Sequence, residues 1–340
     1  MNARAERLAR PASARLSLIG VLLLSLLAGA LFALTIGPVP ISPGDILATL
    51  IGRDTGQAGV VIWNIRLPRV LAAMLVGAAL AAAGASYQIM FRNPLVSPDI
   101  LGVSSGAALG AVCAIFLSLP ILAIQGFAFA GGLLAVALVS TIASAVRGVD
   151  TTLVLVLTGV VMGALAGAAT SLLKVMADPY DQLPAITFWL LGSLARVNSG
   201  DLLPVLPAVI LGLIPLVLLR WRINVLSLGD DEARALGIDA SRLRLMVIAA
   251  ATLITASVVA IAGVVGWVGL VIPHIARMLV GPSFAVLLPV AAVIGAGYLL
   301  LVDTLSRTLG AVEIPLGILT AVLGAPFFLW LLARGRRGWT

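Results

Sequence analysis

The sequence predicts an all-α polytopic membrane protein with about ten transmembrane helices, residues 1–340 forming a single transmembrane domain. Three observations predict it. Hydrophobic residues make up 61% of the 340-residue chain and charged residues only 10%, whereas an ordinary soluble domain carries about 25% charged residues. A soluble chain of this length would expose large apolar patches. The mean hydropathy of +1.18 points the same way. Finally, nine apolar runs approach or exceed the roughly 20 residues that cross a bilayer.

The first run, 16–36, follows the basic segment MNARAERLARPASAR. It exceeds the roughly 7–15 residues of a signal-peptide core, so it is read as a retained first helix. Runs at 70–90 and 101–119 flank NPLVSPD (93–99), whose prolines interrupt the helix before a Gly/Ser-rich start. Gly77, Ala81, Gly84 and Ala85 give the 70–90 run a small-residue face suited to close helix approach. Runs 121–145 and 152–172 are separated by RGVDTT, where Asp150 or Thr151 can cap the following helix. Run 202–220 precedes the longest inner connection, 221–244, and run 245–266 follows it. A shorter stretch at 267–280 holds Pro273, His274 and Arg277, which demands a short or broken helix shielded by protein. Runs 284–302 and 315–333 complete the set of ten.

Ten spans put both termini on one side. With that side inside, 15 of the 21 basic residues are inner, among them Arg4, Arg7, Arg10, Arg15, Arg147, Arg334, Arg336 and Arg337. Six are outer: Arg53, Arg66, Arg69, Lys174, Arg196 and Arg307. The asymmetry follows the positive-inside rule. It accounts for much of the sequence pI of about 10.9 without invoking nucleic acid. Both ends are therefore expected in the cytoplasm.

Several chemistries are absent from the sequence. No GxxxxGK[ST] phosphate loop, HExxH pair or GxSxG elbow occurs. The single cysteine, Cys113, excludes a disulfide framework, and the single histidine, His274, reads as a hydrogen-bonded packing residue. Asp303 sits at the outer end of the ninth span and Asp99 beside a loop, so no set of midplane acids supports ion coupling. The chain is expected to be no enzyme, with no catalytic residue, bound metal or resident cofactor.

Two polar features remain. Arg66 and Arg69 flank Pro68 at the outer boundary, against the positive-inside bias; they serve either as snorkelling anchors or as docking groups for a partner's carboxylates. Within LSLGDDEARALGIDASRLR, Asp230, Asp231 and Glu232 open a short helix where negative charge suits the dipole, and Gly237 can end it.

Four segments carry a family resemblance: RLPRVLAAMLVGAAL through RNPLVSPDILGVSSGAALG, LSLGDDEARALGI, GWVGLVIPHIARMLVG, and DTLSRTLGAVEIPLGILTAVLGAPFFLWLL. Over about residues 40–335, their order and spacing resemble the FecCD permeases of type II ABC importers. That resemblance implies a homodimer with a central path, two copies of a separate cytoplasmic ATPase that holds ATP and magnesium, and an extracytoplasmic substrate-binding protein. It implies ATPase coupling through Gly229, Asp231, Ala233, Leu236 and Gly237, within the cytoplasmic segment 221–244. It places a cytoplasmic gate at Thr151 and Thr152, although Leu153 departs from a polar neighbour there. It assigns Arg66, Arg69 and Arg307 to docking of the binding protein. The expected function is import of a metal chelate across the inner membrane, ferric siderophore first, with haem, cobalamin and molybdate or tungstate also compatible. A stand-alone ion-coupled secondary transporter is the alternative.

Overall fold

A computed structural model describes residues 12–334 apart from 38, 54, 147 and 149. Arg4, Arg7, Arg10, Arg147, Arg336 and Arg337 of the charge argument lie outside the described residues, as do the side chains of Arg15 and Arg334. The end of the bundle expected to carry most of the basic residues is the inner end, and the opposite one the outer end.

The first span is α1 (Ala12–Thr35). An outer segment follows, with α2 (Pro43–Leu50), capped by Ser42, and α3 (Gln57–Val61). A π-helical turn, Ile62–Arg66, leads from α3 into the long α4 (Leu67–Met90). A 3₁₀ turn at Pro98–Leu101 precedes α5 (Val103–Phe116), and α6 (Ile121–Ala145) and α7 (Thr151–Met176) return across the bundle. Next come α8 (Gln182–Leu191) and α9 (Ser199–Leu218). The inner connection forms α10 (Arg220–Val225) and α11 (Asp230–Ala235). The chain then completes α12 (Ala240–Ala262), α13 (Val268–Val280), α14 (Phe284–Thr308) and α15 (Leu316–Arg334).

All ten expected spans are present as helices, seven of them long and apolar enough to cross a membrane alone. Of the other three, α15 falls just short, with an apolar part at Leu316–Leu331, and the 14-residue α5 and the 13-residue α13 fall well short. At 1.5 Å per residue they reach only about 20 Å of a hydrocarbon core of roughly 30 Å. Both are packed among other helices, which is what irregular backbone at membrane depth requires. Burial sorts the long helices. In their most apolar windows α4 and α12 are 78% buried and form the centre, whereas α1 is 11% and α6 and α7 are each 22% buried. The outer helices leave apolar surface for lipid or for another chain.

Close approach of the centre depends on missing side chains. A Cβ on Gly77 of α4 would overlap the carbonyl of Gly295 on α14, and a Cβ on Gly295 would overlap that of Gly77. The small-residue face therefore does what its spacing predicts: it brings two backbones into contact.

Several helices run beyond their apolar stretches, and in two of them paired charges allow it. Helix α14 runs on to Thr308 because Asp303 and Arg307, which end the apolar run, are paired within the bundle. Helix α12 begins at Ala240 because Asp239 caps it and Asp230 neutralises Arg244. One element is missing from the hydropathy reading. Helix α8 has only ten residues, too few to register as a span, and no polar face to mark it as amphipathic.

Candidate partner sites at the outer and inner ends

At the outer end, the turn before α4, the first turn of α4 and the last turn of α14 bring Arg66, Arg69 and Arg307 together. Their guanidinium groups turn inward. Arg66 donates from Nη1 to the Leu34 carbonyl at 2.6 Å and from Nη2 to the Val39 carbonyl. Arg307 donates from Nη1 to the Ile36 carbonyl at 3.1 Å, and its Nε lies 3.3 Å from Asp303 Oδ2. These two arginines thus serve carbonyls at the end of α1 and in the segment just beyond it. Arg69 donates from Nε to Asp303 Oδ1 at 2.9 Å, and its two terminal nitrogens clasp Glu313 at 2.8 and 2.9 Å.

Burial shows what this network costs to form. Asp303 is 0% exposed, Arg66 3% and Arg69 7%. A fully buried carboxylate persists as an ion only when it is paired and hydrogen-bonded; Arg69 and Arg307 provide that. Glu313, on the loop before α15, is held below the usual glutamate range chiefly by its hydrogen bonds from Arg69. The trio is assembled, and its donors are engaged within the chain. Sequence reasoning missed the acids that engage them. The available signal was the bias itself, since outer arginines at a membrane boundary call for counter-ions.

At the inner end, α11 is a six-residue helix led by Asp230, Asp231 and Glu232. Its termination follows the Schellman pattern: Ile238 N–H donates to the Ala233 carbonyl and Gly237 N–H to the Arg234 carbonyl, both at 2.9 Å. Gly237 has φ +75, the left-handed conformation that glycine adopts without strain. Arg244, at the start of α12, donates to Asp230 at 2.8 Å and pins the helix to the bundle.

The five expected coupling residues split by direction. Asp231 and Gly237 face solvent, and Leu236 is 62% exposed beside Leu228 at 59%. Ala233 is 0% exposed and Gly229 is buried, so both pack the helix against its own chain.

The expected gate lies at the inner start of α7. Asp150, rather than Thr151, is the cap: its carboxylate accepts from the N–H groups of Thr152 at 2.7 Å and Leu153 at 3.0 Å. The Leu153 and Thr152 N–H groups hold that carboxyl below the usual aspartate range. Thr151 is exposed and Thr152 half-buried.

His274 is half-buried on α13, and its Nδ1 has no hydrogen-bond partner, so it packs without the bond expected for it. Among the described residues no group of three or more His, Cys, Asp or Glu could hold a metal ion.

The FecCD transport family matches residues 23–334. The chain belongs to the FecCD transport family. It is 44% identical to the "Probable iron chelatin transport system permease protein" of Helicobacter pylori, over 84% of this chain and 86% of that one. It is 42% identical to the molybdate import system permease protein MolB of Haemophilus influenzae, over 94% and 96% of the two chains. A solved structure described as an inward-facing conformation of a metal-chelate type ABC transporter superposes with a TM-score of 0.86 at 39% identity, covering 94% of this chain and 99% of that one. This FecCD chain is thus a multi-pass permease subunit with the type II importer fold, and not itself a catalytic enzyme.

Proposed function

We propose that this FecCD permease imports a metal chelate, ferric siderophore first, across the inner membrane of the cell, both termini lying in the cytoplasm. Haem, cobalamin and molybdate or tungstate are the other cargoes compatible with the family. It works as a homodimer, with the path between protomers, on two copies of a separate ATPase and beneath a substrate-binding protein. The observation that carries this reading is α11, an acidic, Gly-terminated helix displayed at the inner end of an otherwise apolar bundle. Asp231, Leu236 and Gly237 form the surface offered to the ATPase, with Ala233 and Gly229 holding its shape. Thr151 and Thr152 line the inner gate. The ion-coupled alternative is disfavoured because Asp303, the one fully buried acid among the described residues, is neutralised by Arg69 and Arg307.

Docking of the binding protein proceeds by exchange: partner carboxylates reach Arg69 by displacing Glu313, the one acid of the network that is exposed. Removing that internal competitor with E313Q should tighten binding-protein association, and high salt should weaken it. Unchanged affinity in E313Q would remove the docking proposal. For the function as a whole, the test is uptake of iron-loaded chelate into proteoliposomes holding permease, ATPase and binding protein. Uptake should require ATP; ATP-independent uptake driven by an ion gradient would replace this reading with the alternative.

A further inference from the structure

The outer segment between α1 and α4 is apolar on both of its faces. Toward the bundle, Ile46 of α2 and Ile62 of the π-helical turn are buried and join the core with Ala33 and Leu34 of α1. On the opposite side of α2, Leu47, Leu50 and Ile51 share one stripe at i, i+3 and i+4. Leu47 is 63% and Ile51 62% exposed. Val60, Trp63 and Ile65 extend the exposed patch along the second arm. A helix lying in water turns a polar face away from the core. This segment does the reverse.

The two arms form a closed hairpin. The Thr49 and Thr55 hydroxyls share a hydrogen bond of 2.6 Å, and Arg53 N–H donates to the Ala48 carbonyl at 2.9 Å. The sequence of 36–65 carries three charged residues, Asp45, Arg53 and Asp54. Asp45 lies in the first turn of α2, where the Ser42 hydroxyl donates to it at 2.8 Å, and the other two belong to the tip between the arms. None of them interrupts the apolar patch.

The patch continues the membrane-facing side of α4. From Gln57 to Met90 the chain is helical for 34 residues, about 50 Å at 1.5 Å per residue against a hydrocarbon core of roughly 30 Å. Its outer turns therefore reach the headgroup zone. Val60, Trp63 and Asn64, Leu67 and Leu71 recur along it every three or four residues, and each is exposed or half-buried. Arg66 and Arg69, which lie between them in sequence, turn inward and are buried. No charge thus separates Val60 from the lipid-facing side of the span. At the end of α1, Leu31 and Phe32 are exposed as well.

We infer that the α2–α3 hairpin is an interfacial anchor, its outer face seated in the outer leaflet where headgroups meet acyl chains. The occupant of the patch is the lipid surface, because the patch is continuous with a face that already meets lipid. Trp63 then stands at the membrane–water boundary, which an indole ring favours. With Arg53 the one basic residue of the hairpin, zwitterionic phospholipid suffices. The anchor is independent of cargo and of ATPase coupling.

The test places a nitroxide at L47C, I51C or W63C in a C113S background, with the full chain in phosphatidylcholine nanodiscs. Power saturation with oxygen and with a water-soluble nickel chelate reads the depth of each label. L27C, exposed on α1, marks the hydrocarbon, and Y180C, 92% exposed in the outer loop before α8, marks water. The hairpin labels should lie about 5–10 Å below the phosphates. Labels at L47C and I51C that match Y180C would overturn the inference. So would labels that enter the bilayer only in phosphatidylglycerol, since charge rather than apolar contact would then hold the hairpin. Loss of access to both relaxants on adding the binding protein would make a protein the occupant. Spin–spin broadening relieved by unlabelled chain would make it a second copy; either result overturns the anchor. W63C removes the indole, so L47C and I51C decide the matter if it fails to accumulate.

Discussion

Arg69 carries more of the outer end than its position suggests, because it faces a carboxylate with no access to water. Deleting it leaves Asp303 dependent on Arg307 alone. Removing one partner of a buried pair costs about 3–5 kcal/mol, since the other charge stays uncompensated. R69A should therefore melt far below wild type in detergent, and R69M/D303N, which removes both charges, should recover part of the loss. A melting point for R69A equal to wild type would show that Arg307 alone suffices. R66A should be milder, as it frees two carbonyls rather than a charge. The Glu313 clasp has its own pH signature. Because its folded pKa lies below the ordinary glutamate value, its contribution is present above that value and is lost as pH falls through the folded one. With Glu313 exposed, the contribution is only about 0.2–1 kcal/mol. The stability difference between wild type and E313Q should shrink to nothing as pH is lowered below the glutamate range. A difference that persists in acid would mean that packing of the 309–315 loop, not charge, sets it.

At the level of elements, α11 separates surface from support. Leu236, which caps α11, is exposed, and Ala233, three residues earlier within the helix, is buried. L236S should reduce co-purification of the ATPase while leaving the melting point unchanged. A233L should reduce co-purification and also lower the melting point, because an enlarged side chain in a filled site costs about 1–3 kcal/mol. G237V strains the left-handed cap by about 1–2 kcal/mol and should loosen the helix as A233L does. Should L236S bind the ATPase normally while A233L does not, Leu236 is not part of the contact. The pair α4 and α14 allows a sharper comparison. G77L and G295L each force apart two backbones in contact, and neither protein should accumulate in the membrane. Gly167, on α7, meets nothing within 4 Å of an added Cβ, so G167A should be tolerated. Normal accumulation of G77L would show that the two helices can separate at little cost.

For the whole molecule, the division of labour is the main point. The permease has a displayed inner helix and no phosphate-binding loop, so the purified dimer in lipid should show no ATP hydrolysis above background. Robust hydrolysis by the isolated chain would contradict the importer reading. The lightly buried α1, α6 and α7 bound a centre made from α4 and α12, which leaves broad apolar faces for lipid and a second protomer.

What could be read from the sequence is what depends on neighbours along the chain. Hydropathy over some twenty residues located all ten spans, and charge counted in the loops set a provisional orientation. The α11 cap was legible because its glycine and its hydrogen bonds fall within six residues of one another. Other features depend on groups that only folding brings together. Arg69 meets Asp303 across 234 positions, so nothing local could show that the outer arginines point inward. Helix α8 is too short for a hydropathy window, yet Gln182 ties it to α5 and the backbone just beyond it to α12 and α15. Even Ala233 and Leu236, three residues apart, acquired opposite roles only when α12 and Arg244 set which side of α11 faced the bundle. Local hydropathy determined that this chain crosses the membrane; the tertiary structure decided which polar groups are used up inside it and which are left to meet a partner, because burial and pairing are properties of contacts made at long range.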